Sequence, residues 1–339
     1  MGKWTATRLF NEALRLREAS GAEEAYLFVR EHTEADRLSG QADARQMNLL
    51  YALAAAAGRE DEAFALLREA VQERGFWYPA DYLLEDDDLD TLRGREGFAE
   101  LADLSGRREE AALAGEAPAL TVLYPEAPAS SAAPKPEADT IAAADRDEEA
   151  CGPLLLVLHG DQENEGDAEP FWRAALAAGW TVGLVRSSQI RFSDTFGWDD
   201  IDLGAAELRE HLLALRGEAS GGGAAPVVLG AFSAGAEVAL NALLHDEFPA
   251  DGLVLVSPWL DEPGEWIGAL DRLEERTPRS VLIAGEADEE GRESAEAMSQ
   301  AMQEAGLECR LEIVPGMEHD YPEDFAERLP IALAWISRA

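Results

Sequence analysis

Lysine is almost missing from this chain: Lys3 and Lys135 are the only two among 339 residues, so nearly all positive charge is arginine. Cysteine is as scarce, with only Cys151 and Cys309. The first follows an acidic stretch and the second opens a predicted strand, which leaves neither a disulfide framework nor a metal-ligand spacing. No apolar run approaches the roughly 18 residues of a membrane span, and no basic-then-apolar leader precedes the first helix. A cytoplasmic chain with no membrane partner is the expectation. Positive charge as a whole is in deficit, with 28 Lys plus Arg against 68 Asp plus Glu and a net charge of -40. Such a surface repels phosphate backbones and anionic lipid, which argues against nucleic acid as a partner.

Acidity with so little lysine resembles proteins of salt-loving organisms, whose carboxylates hold water and cations. A GC-rich genome that replaces Lys by Arg gives part of the same pattern. A salt titration separates the two, because a salt-adapted fold is lost at low ionic strength. Hydrophobic residues make up 47 % of the chain, ample for one large domain or two modest ones.

Residues 1 to about 115 read as helix after helix. Apolar positions three and four apart recur over 8–20, 22–38, 44–58 and 60–75, and Gly21, Gly58 and Gly75 stand where helices should stop. "GAEEAYLFVREHT" and "GREDEAFALLREA" echo each other. This resembles tetratricopeptide-type hairpins, with Ala63, Leu67 and Ala70 at the usual packing positions, although the spacing exceeds the roughly 34 residues of that repeat. The run "DDDLD" (86–90) has neither the turn glycine nor the distal glutamate of a calcium loop, so it reads as a solvated acidic face.

The stretch 125–150, rich in Pro, Ala and acids, is expected to be a linker or a wide excursion between two strands, the first of them near 119–124. From 152 onward, short apolar segments at 153–159, 181–186, 226–232, 252–257, 280–285 and 309–314 alternate with helical sequence at 199–215, 234–246, 292–305 and 323–337. That alternation predicts an α/β domain over 116–339, a mostly parallel sheet covered by helices, after the all-α domain of 1–115. Function in such sheets gathers on the loops beyond the carboxyl ends of the strands.

Those loops carry a pattern. His159-Gly160-Asp161 follows the second strand, Ala231-Phe232-Ser233-Ala234-Gly235 closes the fourth, Glu286-Ala287-Asp288 follows the sixth and Met317-Glu318-His319 the last. A glycine turn, a serine, an acid and a histidine therefore appear in that order. Here the sequence resembles the α/β-hydrolase family, whose nucleophile sits on a tight strand–turn–helix with small residues two positions either side. Ala231 departs from the usual glycine; Gly235 keeps it.

The resemblance implies a serine hydrolase using Ser233 as nucleophile, His319 as base and Asp288 as the acid that orients it, with Glu286, Glu289 and Asp261 as competitors for the acid. The oxyanion donors it implies are the amides of Ala234 and Asp161, with His159 bracing the loop. Phe196, Trp198, Trp259 and Tyr321, aromatics on the surrounding loops, are candidates to line a substrate pocket or simply to pack. No cofactor or metal is implied, and a small acyl substrate is. Residues 1–115 are expected to offer a surface for a protein partner or self-association. Against an ester, thioester or amide hydrolase stand a non-catalytic interaction protein and a serine peptidase; the all-helical first third lacks the many short strands of a propeller-bearing peptidase. A dienelactone-hydrolase-like relative would bring a cysteine nucleophile, which this turn does not have.

Overall fold

The computed structural model describes residues 4–126, 152–216, 225–245, 248–273 and 277–338. Most of the stretch 125–150, and Cys151, lie outside them. The chain forms two compact units, one of residues 1–117 with 190–196 and one of 118–189 with 197–339.

The first unit is helical. Helices α1 (Ala6–Ser20), α2 (Ala22–Ser39), α3 (Ala44–Ala56) and α4 (Glu60–Arg68) each pack on the next, and a π-turn (Glu69–Glu73) extends α4. Gly21, Gly58 and Gly75 all have positive φ, at 95°, 73° and 84°, a backbone that ends a helix with no Cβ penalty. A capping box of Asp43 and Gln46 starts α3. Met47, Leu50, Tyr51, Ala63, Leu67 and Ala70 meet in the core. Three further helices follow, α5 (Ala80–Glu85), α6 (Asp90–Arg93) and α7 (Phe98–Gly115).

This unit also contains a short antiparallel hairpin, Ile190–Phe192 against Thr195–Phe196, which the sequence assigns to the α/β domain. The reason for the difference is physical. Phe192 is buried in the helical core and packs 5.6 Å from Tyr78 by ring centroids. Ser193 bonds Trp77 through both backbones and its hydroxyl, with Trp77 N donating to Ser193 Oγ at 2.7 Å.

The second unit is built on strands β1 (Ala119–Leu123), β2 (Leu154–Leu158), β3 (Thr181–Arg186), β6 (Val227–Phe232), β7 (Gly252–Val256), β8 (Arg279–Gly285) and β9 (Cys309–Val314), the hairpin strands being β4 and β5. They form one sheet in the order β1-β3-β2-β6-β7-β8-β9, parallel except where β1 runs against β3. Helices α8 (Glu165–Trp172), α9 (Ile201–Arg216), α10 (Gly235–Leu244), α11 (Pro263–Gly268), α12 (Glu289–Glu304) and α13 (Phe325–Ile336) cover it.

The apolar run "LLLVL" of β2 shows why both faces are covered. Leu154, Leu156 and Leu158 join Leu208, Val238 and Met298 in one core, while Leu155 and Val157 join Trp172, Phe325 and Leu333 in another. Alternate side chains leave opposite faces of a strand, so a strand apolar at every position needs helices on both sides. Each such side chain contributes about 1.5–3 kcal/mol on burial. None of the described helices is long and apolar enough to cross a membrane.

Candidate active site

Strand β6 ends at Phe232 and α10 begins at Gly235, which leaves two residues to reverse the chain. Ser233 takes the turn at φ 52°, in the left-handed region that costs a residue with a side chain about 1–3 kcal/mol. Neighbouring backbone fixes it there. Its amide donates to Val256 O at 3.1 Å, and its carbonyl accepts from Ala236 N at 3.0 Å and Trp259 N at 3.2 Å. A Cβ on Gly235 would stand 2.7 Å from the His159 carbonyl oxygen, so helix and strand approach too closely there for any side chain. Ala231, the departure from glycine, is fully buried, its methyl accepted within the core.

The acid comes from the end of β8. Asp288 caps α12, its Oδ1 accepting from Gly291 N at 3.2 Å, and its Oδ2 stands 2.9 Å from His319 Nδ1. His319, on the loop between β9 and α13, places Nε2 2.8 Å from Ser233 Oγ. The carboxylate fixes the proton on Nδ1, which leaves the Nε2 lone pair to accept from the serine hydroxyl. Burial pushes the Asp288 carboxyl up. The His319 hydrogen bond and charge, the Gly291 amide and the Ser257 hydroxyl together outweigh burial and hold it below its ordinary range. The competing acids stand elsewhere. Glu286 is exposed and accepts from Gly316 N at 3.1 Å. Glu289 is exposed on the first turn of α12, and the Asp261 amide donates to Glu237 Oε1 at 2.8 Å.

The loop after β2 is held at both ends of one residue. Gly160 N donates to Glu163 Oε2 at 2.9 Å, and Gly160 O accepts from His159 Nδ1 at 2.7 Å. Burial lowers the His159 pKa to about 4, so its ring is neutral and carries one proton. Ser187 N donates to Nε2 at 3.4 Å, which assigns that proton to Nδ1. A trans peptide points its C=O and N–H in opposite directions. Bonding the Gly160 carbonyl to His159 therefore turns the Asp161 amide away from His159. Among the described residues the Ala234 amide, one residue past the turn, has no acceptor.

The four aromatics divide. Trp259 is 37 % exposed and fastened by its amide to the Ser233 carbonyl. Trp198 is buried: its indole N–H donates to the His159 carbonyl at 2.9 Å and its ring lies 4.8 Å from the imidazole, so it packs behind the loop. Tyr321 is buried as well, its hydroxyl accepting from Trp172 Nε1 at 3.0 Å and its ring stacked on Phe171 and Phe232. Phe196 is buried in the hairpin that belongs to the helical unit. For these three the expected pocket-lining role gives way to packing, because each ring or polar tip is already enclosed by protein. Two residues escape the sequence reading, Glu163 and Ser257. A polar residue ending an apolar strand, as Ser257 ends "GLVLV", was the available signal for the second.

A family model described as "A/B hydrolase-like, N-terminal domain" matches residues 5–113. Over 99 % of this chain and 100 % of the other, the sequence is 35 % identical to an uncharacterized protein from Bacillus cereus ATCC 10987, with a TM-score of 0.53. The chain belongs to the α/β-hydrolase family. The chain is also similar to a dienelactone hydrolase from Anabaena variabilis ATCC 29413, at 19 % identity over 56 % of this chain and 88 % of that one, TM-score 0.44. A carboxylesterase from Mesorhizobium loti is 20 % identical over 56 % of this chain and 90 % of its own, TM-score 0.42. No curated protein matches this chain.

Proposed function

We propose that the hydrolase cleaves a carboxylic ester, or a related thioester or amide, through an acyl intermediate on Ser233. The observation that carries this reading is the unbroken line from Asp288 Oδ2 to His319 Nδ1 and from His319 Nε2 to Ser233 Oγ, at 2.9 and 2.8 Å. A serine hydroxyl is a weak nucleophile until a base takes its proton as the bond to the acyl carbon forms. His319 takes that proton at Nε2. Asp288 holds the ring in the needed tautomer and offsets the imidazolium charge. The negative charge that develops on the acyl oxygen faces the amides of Ala234 and Asp161. His319 then returns its proton to the leaving group, which departs as alcohol, thiol or amine. Water enters, loses a proton to His319 and releases the acid, restoring Ser233.

Trp259, partly exposed and bound to the Ser233 carbonyl, supplies a flat apolar wall for the substrate. The test is covalent labelling by a fluorophosphonate, read by intact mass and peptide mapping. Labelling is expected at Ser233 in the parent and absent in Ser233→Ala. Labelling retained in that variant removes Ser233 from its role. A panel of p-nitrophenyl esters, thioesters and aminoacyl amides then orders the three leaving-group classes.

A further inference from the structure

Two non-glycine residues at the ends of adjacent strands have left-handed backbones, Ser233 after β6 and Ser257 after β7. The first is explained by the need to project a hydroxyl. The second has φ 42° and no part in the proton relay described so far. Its position is doubly unfavourable, because Pro258 follows and a residue before proline is normally driven to extended backbone. It is also fully buried. Strained, buried polar residues persist where surrounding structure holds them, and they gather at functional sites.

What holds Ser257 identifies what it serves. Its amide donates to Ile283 O on β8, the strand that leads to Asp288, at 2.7 Å. Its hydroxyl donates to Asp320 O, one residue past His319, at 3.2 Å. We propose that Ser257 is a positioning residue of the protein: its hydroxyl, bonded to the carbonyl one residue past His319, and its amide, bonded to the strand that leads to Asp288, hold the loop of the base beside the acid.

The groups around Asp288 make this role specific. His319 faces the carboxylate from the loop after β9 and the Gly291 amide from α12. Glu286, the nearest acid in sequence on the same loop, is engaged with the Gly316 amide. A carboxylate whose two oxygens must serve an imidazole and a helix terminus has one rotamer in which both bonds are made. With the carboxylate fixed in this way, the loop of the base is what remains to be held, and the bond from Ser257 Oγ to Asp320 O ties that loop to the end of β7. A hydroxyl suits this position because it turns about one bond to meet the carbonyl.

The inference rests on the serine-hydrolase reading, and its test separates the two. Ser257→Ala and Ser257→Gly both remove the hydroxyl, while glycine also relieves the positive φ, so the second variant folds even if the first does not. The rate and affinity of fluorophosphonate labelling are measured from pH 5 to 9 for the parent and both variants, with thermal unfolding alongside. Both variants are expected to show a maximal labelling rate about ten- to thirtyfold lower, with affinity within about twofold. Parental rates in both variants, or in Ser257→Gly alone, overturn the inference and leave Ser233 in place. A parent that takes no label overturns the serine-hydrolase reading and this inference with it.

Discussion

The carbonyl oxygen of His159 stands 2.7 Å from the point where a Cβ of Gly235 would be. The loop after β2 and the helix behind Ser233 are therefore in contact through backbone alone. A methyl group at 235 must push the His159 carbonyl away, and with it the Gly160–Asp161 peptide. Gly235→Ala is expected to cost about 1–3 kcal/mol in urea unfolding. It should also slow fluorophosphonate labelling more than about tenfold, as loss of an oxyanion donor does. Gly268→Ala, where nothing lies within 4 Å, is the control and should label at the parental rate.

His159 makes stability depend on pH in a definite window. In the unfolded chain an imidazole titrates near ~6.5, whereas burial holds the folded one at about 4. Above pH ~6.5 neither state binds the proton and the full stability is present. Between there and pH 4 the unfolded chain takes up a proton the folded protein refuses, and up to about 3 kcal/mol is lost. Denaturant unfolding of the parent and of His159→Gln between pH 7.5 and 4.5 reads this directly. The variant should fall less steeply; equal slopes would show that the imidazole is charged in the fold.

Asp288 and Glu286 lie two residues apart, yet only the first meets the imidazole. Asp288→Asn presents an amide that can hold the wrong tautomer, and labelling is expected to slow by ~10⁴-fold. Glu286→Gln should label within about twofold of the parent. Equal losses in both variants would mean that local charge, rather than the bond to Nδ1, matters.

The hairpin gives a prediction for the helical unit. Phe192→Ala removes a ring from a core whose other members lie in residues before 117, and should cost that unit about 3 kcal/mol. Hydrogen exchange reads it locally. The Trp77 amide, which donates to Ser193 Oγ, should exchange about a hundredfold faster, while amides in β2 stay as they were.

Much of this architecture is legible in the sequence because its signals are local. The strand expected at 181–186 is β3 to the residue, that at 226–232 begins one residue before β6, and that at 153–159 overruns β2 by one residue at each end. Apolar runs bounded by glycine and charge carry their own limits. The serine, acid and histidine were also readable, since each stands just past such a run. The hairpin was not, because strands of three and two residues have no period, and its partner Trp77 is 116 residues away. Trp198 and Tyr321 were left between two roles for a related reason. An aromatic on a loop has the same composition whether it faces substrate or bonds His159 O or Trp172 Nε1, and only the fold distinguishes the two. Ser257 offers no spacing to detect; its meaning lies in a backbone angle and in two neighbours later in the chain, one on β8 and one on the loop after β9.

The placement of residues 190–196 bears on how the molecule is made. During translation the helices up to residue 117 leave the ribosome first, yet the piece that closes their core arrives about seventy residues later. Phe192 can reach Tyr78 only after the residues of β2 and β3 have been made. Cutting the gene at residue 117 yields no clean pair of products, since one fragment lacks Phe192 and the other carries it without a home.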